Sequence, residues 1–165
     1  MLESQIRLRR SLEDDREVMF DILEKSLKPY MGVNIGSSKN LLVIDKKIID
    51  EYIKNDNYFC VVAEINSKIA GWLAGSGKSE ILSQHGCAFG DFYIEEIVID
   101  SVYRRKGIGT ILINSIKQND FKAMVVDTPA INKDAIAFYK NLGFKGVQGL
   151  PEEFTNSWAR MSKQP

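Results

Sequence analysis

The sequence is poor in the residues that build metal sites and disulfide frameworks. Its 165 residues include one histidine, two cysteines and four prolines. His85, Cys60 and Cys87 do not have the spacing of zinc ligands, so we expect no metal site. His85 and Cys87 are also too close in sequence to act as a base and its nucleophile, and they lack an orienting partner. Reduced, buried thiols in a cytoplasmic protein are the simplest interpretation of the cysteines.

Long hydrophobic runs and an excess of charge of either sign are also missing. No apolar segment approaches the ~20 residues of a membrane span, and charges stand where a secretory signal has its apolar core. We therefore expect a cytoplasmic protein with no membrane partner. The 22 basic and 22 acidic side chains give a net charge of +0, which argues against a nucleic-acid partner. The length and composition predict a single globular domain over residues 1–165.

The hydrophobic pattern predicts alternating helices and strands. Helices at the front, an antiparallel meander and then two strand–helix units indicate an α+β fold. We expect a mixed, mostly antiparallel sheet of about six or seven strands with about four helices. A capping box from Ser11 to Asp14 begins the first helix, and a loop is expected at 80–90. The other helices are predicted at 45–55, 107–119 and 132–142, and the strands at 5–9, 58–65, 68–74, 91–100, 123–127, 144–147 and 158–161.

A first glycine-rich segment, at residues 75–79, ends like a P-loop. The P-loop pattern requires a glycine at the position of Trp72, where there is none. The segment that follows also has a weak helical pattern, whereas a P-loop needs a helix whose amides face the phosphates. A turn after a strand is therefore the better interpretation of this segment.

A second glycine-rich segment, at residues 104–110, joins a predicted strand to the clearest predicted helix. Gly107 and Gly109 allow the backbone to bend and to approach a ligand closely. Three cations stand just before a helical turn whose amides lack partners, an arrangement that favours an anion. Leu112 replaces the third glycine of a dinucleotide fingerprint. Taken alone, the segment is equally consistent with a structural turn.

Two blocks of the sequence resemble a known family, the GCN5-related N-acetyltransferases (GNAT). Arg104-x-x-Gly107-x-Gly109 is similar to the family's R/Q-x-x-G-x-G/A signature, and residues 95–104 are similar to the strand leading into it. Asn132-x-x-Ala135-x-x-Phe138-Tyr139-x-x-x-Gly143-Phe144 is similar to the family's second cofactor segment. The sequence departs from the family at Ser101, where proline is frequent, and at Arg105, where glycine is frequent.

The resemblance implies a fold with splayed central strands and binding of acetyl-CoA as co-substrate, without a metal. It implies that the loop amides hold the pyrophosphate and that Asn132 hydrogen-bonds the cofactor. An N-cap of the following helix is the alternative role for Asn132. The cofactor-binding residues implied in this way are Ile97, Val98, Ile99, Arg104, Arg105, Lys106, Gly107, Ile108, Gly109, Thr110, Asn132, Phe138 and Tyr139.

The resemblance also implies direct attack of an amine on the thioester. Tyr139 matches the family's proton donor to the leaving thiolate, and a phenol stays protonated at neutral pH. For the base, Glu95 matches a water-relaying glutamate of polyamine acetyltransferases, while Asp127 matches a glutamate of some protein-acetylating members. Glu96 is a third candidate. Simple alternation places Glu95 and Glu96 on opposite faces of their strand, although a bulge would change this.

The acceptor is the least defined part of the prediction. We expect a primary amine of a small molecule, and the acidic strand at 91–100, directly before the basic loop, is consistent with a cationic acceptor. An acetyltransferase acting on protein N-termini or lysines is one alternative, and a non-catalytic acyl-CoA-binding module is another. Homodimers are common in the family, and the sequence leaves the oligomeric state open.

Overall fold

The computed structural model describes residues 6–30, 45–150 and 158–165. Helices and strands follow each other in the order predicted from the sequence, with one added helix. The helices are α1 (Arg16–Leu27), α2 (Lys47–Lys54), α3 (Ser79–Gln84), α4 (Ile108–Asn114) and α5 (Lys133–Asn141). The strands are β1 (Ile6–Arg10), β2 (Phe59–Ile65), β3 (Lys68–Ser76), β4 (Phe92–Ile99), β5 (Met124–Pro129), β6 (Lys145–Gly146) and β7 (Trp158–Lys163).

Within these ranges, seven strands form one mixed sheet in the order β1-β2-β3-β4-β5-β7-β6. Strands β4 and β5 are parallel, and the other neighbours are antiparallel. A parallel pair requires a crossover connection, and the segment with α4 supplies it. The predicted α+β class with a mostly antiparallel sheet is confirmed.

The two central strands separate halfway along their length. Strand β4 pairs with β5 from Phe92 opposite Met124 to Ile94 opposite Val126. The pairing ends there, although β4 continues to Ile99 and β5 to Pro129. This splay was expected from the family resemblance, and it opens a cleft at the middle of the sheet.

Apolar side chains cover both faces of the sheet. On one face, α4 and α5 pack over Leu73 and Ile94 through residues such as Leu112 and Tyr139. Helices α1 and α2 cover the other face, which we call the α1–α2 face. Trp72 is buried there, and its indole N–H donates to the carbonyl of Met19 at 3.1 Å. Helices on both faces hold the splayed strands in place.

The expected loop at 80–90 is wrong over its first part, because α3 occupies Ser79–Gln84. Six residues are too few to show a helical repeat in sequence. The helix is stabilised by burial of Leu82 against Tyr93 and Val125. It ends where Gly86 adopts a φ of +62°, a conformation that glycine tolerates. A helix after residues 75–78 removes one argument against a P-loop there, but Trp72 still stands in the glycine position.

Two helix boundaries also differ from the prediction. The amide of Leu12, not Ser11, forms the N-terminal cap contact, by donating to Asp15 Oδ2 at 2.7 Å. Arg9 fixes this carboxylate with contacts of 2.6 and 2.8 Å, which moves the cap along by one residue. Helix α4 ends at Asn114 rather than 119, because the hydroxyl of Ser115 binds the carbonyl of Leu112 at 2.6 Å.

Candidate active site

Three acidic residues directly follow the positions at which β4 and β5 separate. Glu95 and Glu96 follow the last paired residue of β4, and Asp127 follows the last paired residue of β5. We call these three acids, together with His85 and Arg160, the carboxylate cluster. All three predicted base candidates therefore lie at the mouth of one cleft.

A β-bulge determines the direction of the two glutamates. Gly75 pairs with Ile94 and Ala74 pairs with Glu96, so Glu95 is an extra residue in β4. Ala74 is buried on the α1–α2 face, and a directly opposed residue points to the same side. Glu95 points there too, because it contacts His85, whose ring stacks on Tyr93. The expectation that the glutamates lie on opposite faces is wrong, because a bulge breaks the alternation.

Burial, together with the negative charge of the neighbouring Glu95, raises the pKa of Glu96 from 4.5 to about 8. Two close carboxylates resist a second negative charge, so Glu96 is mostly protonated at pH 7. Burial and both glutamate charges also raise the pKa of Tyr52, on α2. Glu96 is therefore mostly neutral at pH 7 and lies near the buried Tyr52.

Asp127 is held by other groups at the cleft. Arg160 lies directly opposite it on β7 and donates through Nε to Oδ1 at 2.8 Å and through Nη2 to Oδ2 at 2.7 Å. The hydroxyl of Tyr93 also donates to Oδ2, at 3.1 Å. Two charge-assisted bonds in a fork stabilise the ionised carboxylate and occupy both its oxygens. This geometry suits positioning better than proton abstraction.

Three further residues belong to this site and were not predicted from the sequence: His85, Tyr93 and Arg160. His85 Nε2 lies 2.9 Å from Glu95 Oε1, and its ring stacks on Tyr93 with centroids 3.9 Å apart. Glu95 is thus the orienting partner that the sequence did not reveal for His85. Cys87 contacts the carbonyl of His85 rather than its ring, and burial raises the pKa of its thiol to about 11. A single histidine in a short loop gave no signal for any of this.

Tyr139 lies on the other side of the splayed strands, on α5. It is 4% exposed and packs between Phe138 and Phe144. Burial and the charge of Glu96 raise the pKa of its hydroxyl. Tyr139 therefore remains a phenol across the physiological pH range, and its pKa depends in part on the charge of Glu96.

The glycine-rich segment 104–110, which we call the phosphate loop, has the backbone shape that its glycines suggest. Gly107 has a φ of +80° and precedes the first residue of α4. A Cβ on Gly109 would lie 2.9 Å from Cζ of Phe138, so the two sequence blocks are in direct contact. Arg105 has a φ of +62°, which explains why glycine is frequent at this position in the family that the sequence resembles.

The surroundings of the phosphate loop are compatible with an anionic ligand. Arg104, Arg105 and Lys106 are exposed, and a Cβ built on Gly107 meets no atom within 4 Å. The side chain of Arg104 turns back to β4, where Nε donates to the carbonyl of Ile99 at 3.2 Å. Cations and open space thus meet at the end of β4, and Ile108 anchors the loop in the core at 1% exposure.

The N-cap interpretation of Asn132 is confirmed. Its side-chain oxygen accepts from the amide of Ala135 at 3.1 Å at the start of α5. The cofactor contact that the resemblance implies for Asn132 stays a prediction. Among the described residues, no group of three potential metal ligands occurs, and none of the helices there is long and apolar enough to cross a bilayer.

A family model described as the acetyltransferase (GNAT) family matches residues 21–144. This range includes the phosphate loop, Tyr139 and the three acids. It excludes Arg160, on β7, which completes the carboxylate cluster.

Curated relatives share part of the chain. N-alpha-acetyltransferase 30 of Xenopus laevis is 33% identical over 97 residues, which cover 56% of this chain and 34% of that protein. An uncharacterized N-acetyltransferase of Methanocaldococcus jannaschii is 30% identical over 174 residues, covering 95% of this chain and 66% of that protein. The chain thus spans one third to two thirds of the length of these relatives.

Solved structures show the same fold. The crystal structure of aminoglycoside 6'-acetyltransferase type Ii superposes with a TM-score of 0.69, 17% identity and coverage of 96% of each chain. At this identity the likeness concerns the fold alone.

Proposed function

Because this chain belongs to the acetyltransferase (GNAT) family, we propose that it transfers an acetyl group from acetyl-CoA to the α-amino group of a polypeptide. The observation that carries the choice of acceptor is the 33% identity to an N-alpha-acetyltransferase. The sequence alone favoured a small-molecule amine, and that acceptor becomes the second candidate. We further propose that residues 1–165 form one catalytic domain, and that it works in the cytoplasm, where its two free cysteines stay reduced.

The electrostatics of the carboxylate cluster support an α-amino acceptor. An α-amino group has a pKa near 7.7–8.0, against about 10.4 for a lysine side chain. A carboxylate base therefore removes a proton more easily from an α-ammonium group than from a lysine ammonium group. An acidic cluster of this kind would attract the ammonium form of the acceptor into the cleft.

Each residue of the site has a role in this proposal. The phosphate loop amides and its cations hold the pyrophosphate of acetyl-CoA, and the β4 backbone at Ile97–Ile99 lines the gap left by β5. Acetyl-CoA supplies the thioester. Glu95 takes the amine proton, through a water molecule, and Tyr139 donates its O–H to the leaving sulfur. Asp127 is fixed by Arg160 and accepts a hydrogen bond from Tyr93. Tyr93 in turn stacks on the ring of His85.

A small-molecule amine remains the second candidate, because one feature of the cluster favours it. Glu95 and Glu96 share a face with Tyr52 and Tyr93, and aromatic rings beside carboxylates bind organic cations well. A diffusible polyamine would use the same groups. The acceptor therefore has to be distinguished by kinetics rather than by the chemistry of the cleft.

The test is a thiol-release assay with acetyl-CoA and matched acceptors. One peptide with a free α-amino group and an internal lysine is compared with the same peptide blocked at its α-amino group, and with a polyamine. We expect at least a tenfold higher kcat/KM for the free peptide, and no turnover of the blocked one. Preference for the polyamine would establish the second candidate, and acetylation of the blocked peptide would indicate lysine as the acceptor.

The variant Tyr139→Phe provides the control for catalysis. It should lower kcat by roughly 10- to 100-fold while acetyl-CoA binding, measured by calorimetry, stays within about twofold, because the ring packing is retained. Binding of acetyl-CoA without any thiol release by the wild type would instead identify a non-catalytic acyl-CoA-binding module.

A further inference from the structure

A histidine stands between the proposed base and solvent. His85 directly follows α3, and its Nε2 lies 2.9 Å from Glu95 Oε1. We propose that His85 takes from Glu95 the proton that the acceptor amine loses, and passes it to solvent. This proposal rests on the proposed function, since it needs an amine that is acetylated. It makes His85 a proton-relay residue that touches the base and not the thioester.

The exposure of the two side chains gives the relay its direction. Glu95 is 12% exposed and His85 is 28% exposed. A carboxylate that accepts a proton in a narrow cleft must release it before the next turnover. An imidazole is suited to this task, because one ring nitrogen accepts a proton while the other donates one near neutral pH.

Contacts with β4 and β7 hold His85 in place. Tyr93 of β4 stacks on it with planes 15° apart. Arg160 of β7 donates through Nη2 to the carbonyl of His85 at 2.7 Å, and the same nitrogen also holds Asp127 of β5. The stacking on Tyr93 and the backbone contact with Arg160 therefore keep His85 next to Glu95, which its Nε2 contacts at 2.9 Å.

The other ionisable groups around His85 do not compete for the proton. Burial and the charge of Asp127 raise the pKa of Tyr93, and burial raises that of Cys87 to about 11, so both stay neutral at pH 7. Asp127 and Arg160 neutralise each other in a two-bond ion pair. Glu95 is left as the neighbour with which His85 exchanges a proton.

The proton balance of the reaction requires such a route. An ammonium acceptor has three N–H bonds, and the amide product of a primary amine keeps one. As the C–N bond forms and the C–S bond breaks, Tyr139 protonates the thiolate and regains a proton from one of the two that the acceptor loses, and the other leaves for solvent. In the relay this second proton forms an O–H bond on Glu95, then an N–H bond at Nε2 of His85, and is released to water from the ring.

Chemical rescue tests the relay. The variants His85→Ala and His85→Gln are assayed in a dilute buffer that contains no primary amine, and then with added imidazole. We expect both to lower kcat roughly 10- to 100-fold, with KM for acceptor and acetyl-CoA within twofold. Imidazole should restore the rate of His85→Ala in a saturable way, because it fits the vacated space, and should leave wild type and Tyr139→Phe unchanged. Cys87→Ser is the matched control and should keep wild-type kcat.

Each contrary outcome has a distinct meaning. A wild-type kcat for His85→Gln in dilute buffer would overturn the relay, since glutamine keeps a hydrogen bond to Glu95 but does not carry a proton. A raised KM and a lowered melting temperature without rescue by imidazole would also overturn it, by showing a structural role. Absence of thiol release by the wild type with every amine would instead overturn the proposed function, and the relay with it.

Discussion

The phosphate loop and the carboxylate cluster are built in opposite ways. The phosphate loop is seven consecutive residues whose backbone angles, with Gly107 at +80°, set the site. The carboxylate cluster draws side chains from the end of α3 and from β4, β5 and β7, and depends on a bulge and on strand register. A local motif tolerates change elsewhere in the chain, whereas a cluster of this kind is sensitive to every element that contributes. The two regions should therefore respond differently to substitution.

The largest expected effect is on amine turnover when Glu95, the proposed base, is replaced. Glu95→Gln should lower kcat/KM for the acceptor by at least about 100-fold, because glutamine accepts no proton. Acetyl-CoA binding, measured by calorimetry, should stay within about twofold, because the phosphate loop is untouched. A parallel loss of acetyl-CoA affinity would show that the two regions are not independent.

The difference between the regions also explains what the sequence could predict. The turn and helix start at residues 104–110 and the cap at Asn132 were predictable because each depends on residues close together in the chain, while the roles given to the loop and to Tyr139 stay predictions. The shared direction of Glu95 and Glu96 was not readable, because the bulge opposite Ala74 and Gly75 depends on pairing with β3. The fold class was predictable from the order of elements, and α3 was too short to leave a periodic pattern.

In contrast to replacement of Glu95, replacement of the neighbouring Glu96 should have little effect on turnover at pH 7. Glu96→Gln should change kcat at pH 7 by less than about threefold, because glutamine resembles the protonated acid that predominates there. A pKa raised from 4.5 to about 8 means that burial of Glu96 does not destabilise the protein below about pH 4.5. The loss of unfolding free energy caused by burying this carboxyl group grows as the pH rises from about 4.5 through 8, and it is complete above pH 8.

Denaturant unfolding at pH 5 and pH 9 measures this dependence. Relative to wild type, Glu96→Gln should gain on the order of 2–3 kcal/mol of unfolding free energy between pH 5 and pH 9. Glu95→Gln serves as the matched control, because it leaves a glutamate at 96 without its charged neighbour. A gain that is equal at both pH values would contradict the raised pKa.

A smaller effect is expected where the phosphate loop touches α5. A Cβ on Gly109 would lie 2.9 Å from Cζ and 3.1 Å from Cε2 of Phe138. Gly109→Ala should therefore displace the ring, lower the unfolding free energy by about 1–3 kcal/mol and weaken acetyl-CoA binding. Gly146→Ala is the matched control, since a Cβ there meets no atom within 4 Å and should change stability by less than about 0.5 kcal/mol.

A second substitution distinguishes this clash from a general loss of the glycine. Phe138→Leu removes the ring, so the cost of Gly109→Ala should fall when both changes are combined. Additive costs in the double variant would contradict a direct contact between the two sequence blocks.

The smallest effect concerns the departure from the family at Arg105, whose φ is +62°. A side chain in this left-handed conformation costs about 1–2 kcal/mol. Glycine removes this cost, but it also gives the unfolded chain more conformational freedom, which reduces the net gain in stability. Arg105→Gly should therefore raise the unfolding free energy by up to about 1 kcal/mol, measured by denaturant unfolding.

Acetyl-CoA should bind more weakly to Arg105→Gly if the guanidinium contributes to the phosphate site, because arginine pairs well with phosphate. Arg105→Lys keeps both the charge and the strain and should change neither stability nor binding by as much. A less stable Arg105→Gly protein would show that the arginine side chain itself holds the loop, and the phosphate loop would then depend on side chains as the carboxylate cluster does.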